Sequence, residues 1–229
     1  MIGPQERLQI LVGEQALAKL AKSNVLVMGV GGVGSICAEA LARSGVGNIA
    51  LVDGDRVEIS NINRQIPALH STVGRYKAEV MAERLRDINP EAKINAYSLM
   101  WEKNSDFVDL ADYDYVIDAI DSFAAKMDLI ETCVKNDIDI ISSMGAGGRL
   151  DGTQYEVCDI KKTYNDPLAK KVRYELKKRG INKLKVVFSK ELPVKAKEGP
   201  IGSAMFAVSV AGLLMAGKAI KDLIGDIDE

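Results

Sequence analysis

The chain has 229 residues, 47% of them hydrophobic, 27% charged and only six proline, enough for one large buried core and too apolar for a disordered or repeat-built protein. Cys37, Cys133 and Cys158 are widely separated and include no CxxC pair, which excludes a disulfide framework and a four-cysteine zinc site within one chain. The formal net charge of -2 conceals an uneven distribution, and the opening MIGPQERLQI has no basic region followed by an apolar stretch, so no secretory leader is expected and a cytoplasmic location is.

In chain order, the β-branched and aliphatic run Asn24 to Val30 reads as a strand buried on both faces. A glycine cluster follows it, and Val33 to Ser44 then repeats apolar positions at helical spacing. The pattern recurs: a strand over Asn48 to Val52, a helix over Val73 to Ile88 stopped by Asn89 and Pro90, and a strand over Lys93 to Ser98. Tyr115 to Ile120, Phe123 to Asn136 and Ile138 to Ser142 continue as strand, helix and strand. Such alternation predicts an α/β fold, Rossmann-like and doubly wound, with a mostly parallel sheet. Beyond Gly145 to Gly148 the character changes to a smaller C-terminal α+β lobe, with strands at Tyr155 to Ile160 and Lys185 to Ser189 around a basic helix, Pro167 to Arg179. Ile201 to Gly217 carries no charge, but its three glycines and its length, at the lower limit for spanning, favour a buried packing or dimer helix over membrane insertion.

Gly29-Val30-Gly31-Gly32-Val33-Gly34 stands where a strand gives way to a helix. Glycine suits that position because a Cβ would keep the backbone from a phosphate, and the helix N-terminus offers unpaired N–H groups and a positive dipole. By itself the turn leaves ATP and a dinucleotide both open. Asp53 follows the second strand about twenty residues on, where a carboxylate meets ribose hydroxyls in nucleotide-binding α/β domains. The stretch from Asp53 and Asp55 through Ser60, Asn61 and Arg64 to Lys77 adds two cations and an amide, which a triphosphate and a departing pyrophosphate need and a nicotinamide cofactor does not. The alternative is that Arg64 and Lys77 are solvated surface charges. Asp121, just past the fourth strand, stands at the C-terminal edge of the sheet, suited either to a cation that bridges phosphates or to capping the helix that starts near Ser122.

From about Arg7 to Gly148 these motifs together resemble the superfamily of adenylating enzymes that includes the ubiquitin-activating, MoeB, ThiF and HesA proteins. The resemblance implies ATP bound by Gly29, Gly31, Gly32 and Gly34, by Asp53 and Asp55, by Ser60, Asn61, Arg64 and Lys77, and by Asp121 and Ser122, with Asp121 of Asp118-Ala-Ile-Asp121 helping to hold magnesium. Arg7, in Glu6-Arg7-Leu8, resembles the arginine that reaches ATP in that superfamily, often from the partner subunit. On the same basis, residues 1–148 are expected to form the adenylation region and 149–229 a basic lobe with the apolar helix, in one compact domain.

The paired CxxC zinc motifs and the thioester cysteine common among relatives that charge carrier proteins have no counterpart here. Asn63-Arg-Gln-Ile66, Lys77 to Glu83, Val116 to Ser122, Gly145 to Gly148 and Lys162 to Leu168 are most similar to the branch of tRNA threonylcarbamoyladenosine dehydratases. That resemblance implies adenylation of the threonyl carboxylate of the modified adenosine in tRNA, then ring closure with net loss of water. Arg64, Lys77, Asp121 and Arg7 are the residues it would assign to catalysis. The segment Lys161 to Lys197 holds thirteen Lys or Arg against three acids and is the expected tRNA contact. A homodimer is also implied, and a cysteine desulfurase or sulfur-acceptor partner is left open. Rival readings are an adenylyltransferase acting on the C-terminus of a ubiquitin-like sulfur-carrier protein, an NAD-dependent oxidoreductase and a noncatalytic nucleotide sensor.

Overall fold

The computed structural model describes residues 3–103, 105–194, 199 and 201–225. Seven strands form one sheet in the order β3-β2-β1-β4-β5-β7-β6: β1 Asn24–Met28, β2 Asn48–Val52, β3 Lys93–Tyr97, β4 Tyr115–Asp118, β5 Ile140–Ser143, β6 Tyr155–Asp159 and β7 Lys185–Ser189. All neighbours are parallel except β6, which runs antiparallel to β7 at the edge. The fold is therefore the expected mostly parallel α/β architecture, and the strands expected after residue 149 join the same sheet. Chain order reverses between β1 and β4, which opens a crevice beyond their C-terminal ends where open α/β sheets take ligands.

Alternate residues of each central strand serve opposite faces. Val25 and Val27 pack with α1 (Glu6–Leu20), α2 (Gly34–Arg43), α3 (Lys77–Ile88) and α6 (Met205–Ile224), whereas Leu26 and Met28 pack with α4 (Phe123–Lys135) and α5 (Pro167–Lys178). Burial on both faces explains why β1 reads as an unbroken apolar run rather than an alternating one.

Element ends depart from the sequence expectation where backbone geometry intervenes. β1 stops at Met28, not Val30, because Gly29 takes φ +88° and turns the chain out of the ladder. The third helix starts at Lys77, not Val73: Gly74 has φ +88°, and the following residues pair with the 55–57 segment, Val57 N–H donating to the Arg75 carbonyl and Lys77 N–H to that of Asp55. An N-terminal helix that periodicity alone did not announce, α1, is broken at Gly13 (φ 81°, ψ 166°).

The uncharged segment is a packing helix, as expected, though it begins at Met205 and runs on to Ile224; among the described residues no helix is long and apolar enough to cross a membrane. Gly212 lets it lie directly on α2, since a Cβ there would stand 2.2 Å from Ile36 Cγ2 and 2.3 Å from the Val33 carbonyl oxygen. Gly212→Ala should therefore destabilise the fold by ~1–3 kcal/mol through overpacking. A urea midpoint unchanged from the parent would refute that close approach.

Candidate active site

A cleft of about 590 Å³ lies over the C-terminal ends of β2, β1, β4 and β5, within the size range of small-molecule sites. Its floor is the turn between β1 and α2. Gly34 and Gly29 are in such close contact that a Cβ on Gly34 would fall 1.8 Å from the Gly29 carbonyl oxygen, whereas one on Gly31 would meet nothing nearer than Gln65 Nε2 at 3.9 Å. Gly34 and Gly29 thus hold the shape of the turn, and Gly31 keeps space open above it, a cradle suited to a phosphate at a helix N-terminus.

Asp53 ties this turn to β2. Its Oδ2 accepts the Val30 N–H at 2.7 Å and its Oδ1 the Asp55 N–H at 2.9 Å. A carboxylate offers about four acceptor positions, so both oxygens retain capacity for ribose hydroxyls. Burial raises the pKa of Asp53, opposed by the Val30 hydrogen bond, the nearby Lys77 charge and the Asp55 hydrogen bond.

Lys77 is no solvated surface charge: its side chain is 7% exposed, and Nζ pairs with Asp55 Oδ2 at 2.7 Å. The short Arg56–Tyr76 bridge brings it there by placing Lys77 at the first turn of α3. Arg64 also lines the cleft, with Nη1 donating to the Ser60 carbonyl at 2.8 Å and to Asn63 Oδ1 at 2.9 Å. Those two bonds occupy one nitrogen of the fork, which carries further donors. Asn63 in turn donates from Nδ2 to the Ser203 carbonyl, so the arginine loop is tethered to the segment before α6.

Asp121 and Ser122 complete the opposite rim. The capping alternative for Asp121 does not hold: Ser122 is the N-cap of α4 and no side chain caps that helix. Beneath them Asp118 and Lys126 form a fully buried ion pair, 2.8 Å between Oδ2 and Nζ. Ser142 donates to the same Asp118 oxygen at 2.5 Å, and Lys126 also donates to the Ser143 carbonyl at 3.1 Å. This network fixes the ends of β4 and β5 under the cleft.

Four of the sequence-selected residues stand outside the lining. Gly34 lies behind the turn, Ser60 is exposed with its hydroxyl on Glu58, Asn61 is buried with Oδ1 accepting the Glu58 N–H, and Arg7 is exposed on α1. Their positions give Ser60 and Asn61 the task of shaping the loop that carries Arg64. Sequence reasoning missed the wall formed by Leu99, Met100 and Trp101, pinned where Trp101 Nε1 donates to Asp128 at 3.1 Å. Its one available signal was an apolar triplet directly after a strand, at the edge where ligands bind. The Gly145 to Gly148 motif supplies another wall through Gly145 to Gly147; Asp166 holds it, accepting the Gly145 N–H at 3.0 Å while capping α5 through Ala169 N–H at 2.9 Å.

A doubly wound sheet whose switch-point cleft gathers a glycine turn, a ribose-type carboxylate, two cations and a rim aspartate defines a nucleotide-binding α/β domain. Comparison with known proteins is more specific. The ThiF family profile matches residues 4–229, and the chain belongs to that family. A tRNA threonylcarbamoyladenosine dehydratase of Bacillus subtilis is 44% identical over 248 aligned positions, covering 100% of this chain and 97% of that protein. The Escherichia coli protein of that name is 48% identical over 169 positions, 73% of this chain and 63% of its own length. The crystal structure of E. coli TcdA in complex with ATP matches with a TM-score of 0.86 at 41% identity, covering 98% of this chain and 97% of that one. More distant likenesses, such as E. coli MccB with ATP at 20% identity and TM-score 0.68, share the fold.

The geometry gives a direct test of the site's electrostatics. A carboxyl-carbon NMR titration should find Asp53 taking up its proton above the ordinary aspartate value of 3.8. Lys77→Met should move that midpoint further up, because the lysine favours the anion. A midpoint at or below 3.8, or a downward move in the variant, would contradict the burial and pairing described above.

Proposed function

We propose that this chain is an ATP-dependent tRNA threonylcarbamoyladenosine dehydratase. One observation carries the reading: Gly31, Asp53, Arg64, Lys77 and Asp121 line a single cleft in a chain aligned over 98% of its length with an ATP-bound dehydratase. Adenine and ribose take the Asp53 side of the cleft and the phosphates the glycine turn. The threonyl carboxylate, already ionised at neutral pH, attacks the α-phosphorus; the bond to the β-phosphate oxygen breaks and pyrophosphate leaves. The carbamoyl nitrogen then attacks the activated carbonyl, the carbonyl–phosphate oxygen bond breaks, and AMP leaves with the nitrogen's proton as the ring closes. Relative to the starting nucleoside, one water is lost.

The protein's work is positioning and charge neutralisation. Arg64 and Lys77 face the triphosphate, and Lys77 exchanges its Asp55 partner for phosphate oxygen. Arg7 acts from a second copy of the chain. Asp121 is exposed at the rim with no hydrogen-bond or ion-pair partner among the described residues, a donor set that suits magnesium, which keeps most of its waters and takes one or two carboxylates beside phosphate. Bound there, the ion would spread phosphate charge.

No cysteine is asked to act. Cys37 and Cys133 are buried in helices, burial raising the first thiol and pushing the second up to about 12; Cys158, half-buried on β6, is pushed up to about 11, first by burial. Thiols so perturbed are poor nucleophiles at neutral pH.

A second copy of the chain is the proposed partner for the exposed apolar residues Phe206 and Leu213 on α6 and Ile10 and Leu11 on α1. The tRNA is taken by the basic lobe. That contact is narrower than its thirteen cations suggest: Arg173 is committed to Thr163, Arg179 to Glu131 and Lys185 to Asp222, and Lys195 and Lys197 lie outside the described residues. Lys178 is likewise paired with Glu175, which leaves Lys170, Lys171 and Lys177 exposed on α5, with Lys161 and Lys162 shortly before it. A cytoplasmic location follows from a tRNA substrate. The carrier-protein alternative lacks a specific observation in its favour.

With ATP, magnesium and tRNA bearing the threonylcarbamoyl group, mass analysis of digested nucleosides should register the loss of one water. Arg64→Ala and Asp121→Ala should each lower the rate by about 100-fold or more. Pyrophosphate exchange driven by a small carrier protein and indifferent to tRNA would defeat the proposal. Separately, Cys158→Ser should turn over at the parent rate, and iodoacetamide at neutral pH should leave the enzyme active; loss of the dehydrated nucleoside in either case would implicate a thiol.

A further inference from the structure

The segment before α5, which holds Gly145 through Asp166, also carries an exposed ring. Asp166, 4% exposed, turns inward to the Gly145 N–H, while Tyr164, two residues earlier, is 50% exposed. Asn165 between them has φ +56° and is held by its Nδ2 on the Lys190 carbonyl at 2.9 Å, so the chain reverses its side-chain direction there. Tyr164 is propped edge-on against Phe188, ring centroids 5.6 Å apart at 73°. Phe188 is the penultimate residue of β7, the strand next to β5, and β5 leads into the cleft wall. Ser143, the last residue of β5, is paired with Val187, the residue before Phe188, so the ring that props Tyr164 stands beside the strand end that leads into the wall.

On the other side of the α5 N-terminus, Leu168 lines the cleft and Lys171 lies one turn further on, its Nζ 3.8 Å from the centroid of Phe123. Phe123 directly follows Asp121 and Ser122, so this contact holds an exposed cation at the opposite lip. An exposed ring on one side of a nucleotide cleft and a positioned ammonium on the other is the pairing that single-stranded nucleic acid demands, stacking for the base and neutralisation for the backbone.

We propose that Tyr164 is a stacking platform for a base of single-stranded RNA next to the nucleotide held in the cleft, and that Lys171, across the cleft, neutralises a backbone phosphate of the same strand. This rests on the dehydratase reading and names how that site takes a strand in place of a free nucleoside. A solvent-facing ring packed for stability alone would leave RNA affinity untouched.

The test uses the full-length protein with an anticodon stem-loop carrying the threonylcarbamoyl nucleoside, and the same nucleoside as a monomer. Tyr164→Ala should raise KM for the stem-loop by about 10-fold or more, leave kcat, ATP affinity and monomer turnover unchanged, and keep the parent's salt slope. Tyr164→Phe should restore the parent KM. Lys171→Ala should instead flatten the log affinity against log salt slope by ~0.7 to 1, and should weaken heparin inhibition, to which Tyr164→Ala is indifferent. An active parent enzyme with stem-loop KM unmoved in Tyr164→Ala, or equally raised in Tyr164→Phe, overturns this inference alone. A parent that acts on no RNA overturns the dehydratase reading and this inference with it.

Discussion

The approach of Gly34 to the carbonyl of Gly29, closer than any Cβ would permit, is the constraint from which the site follows. It lets the chain leave β1 and enter α2 within five residues, so the first turn of that helix faces the crevice rather than the sheet. Asp53 then fastens the turn to β2 through the Val30 N–H, and the same carboxylate sets the start of the loop that carries Arg64 and Lys77. The cleft residues contributed by β1, β2 and α3 are thus one mechanical unit. Any side chain at Gly34 would push on all three.

The far wall is built by a different means, buried charge. Asp118 with Lys126 and Asp166 with Arg149 are each almost wholly excluded from solvent. Such pairs contribute little net stability over an apolar replacement, but removing one partner costs ~3–5 kcal/mol. Their value is positional: one locks β4 to β5 beneath Asp121, and the other holds Gly145 against the start of α5. Arg149 is under-satisfied, with Nη1 buried and unpartnered among the described residues and its Asp166 contact at 3.5 Å. Burial, the largest influence on Asp166, accordingly raises its pKa despite the arginine.

On the proposed reading the two walls meet two substrates, ATP and the modified nucleic acid. The glycine turn and its cations suit the triphosphate, and the wall joined to α5 suits the nucleic acid that bears the carboxylate. The cleft's charged side chains are Asp53, Asp55, Asp121, Arg64 and Lys77, and the one histidine, His70, sits exposed on a short helical turn outside its lining.

Sequence by itself determined the α/β class, the strand cores and the cluster from Gly29 to Lys77, because those depend on local periodicity, on glycine's missing Cβ and on charges spaced within one βαβ unit. It also marked the uncharged helix as a packing element. Tertiary structure decided what depends on distant segments meeting. The Leu99–Trp101 wall, the buried Lys126 and Arg149 pairs and the seat of Lys171 on Phe123 join residues with no common local pattern. The same cause thins the basic segment, since a count along the chain cannot tell a lysine in solvent from an arginine already bonded to Thr163 or Glu131. Burial, which arises only when the chain closes on itself, separates a structural charge from a functional one.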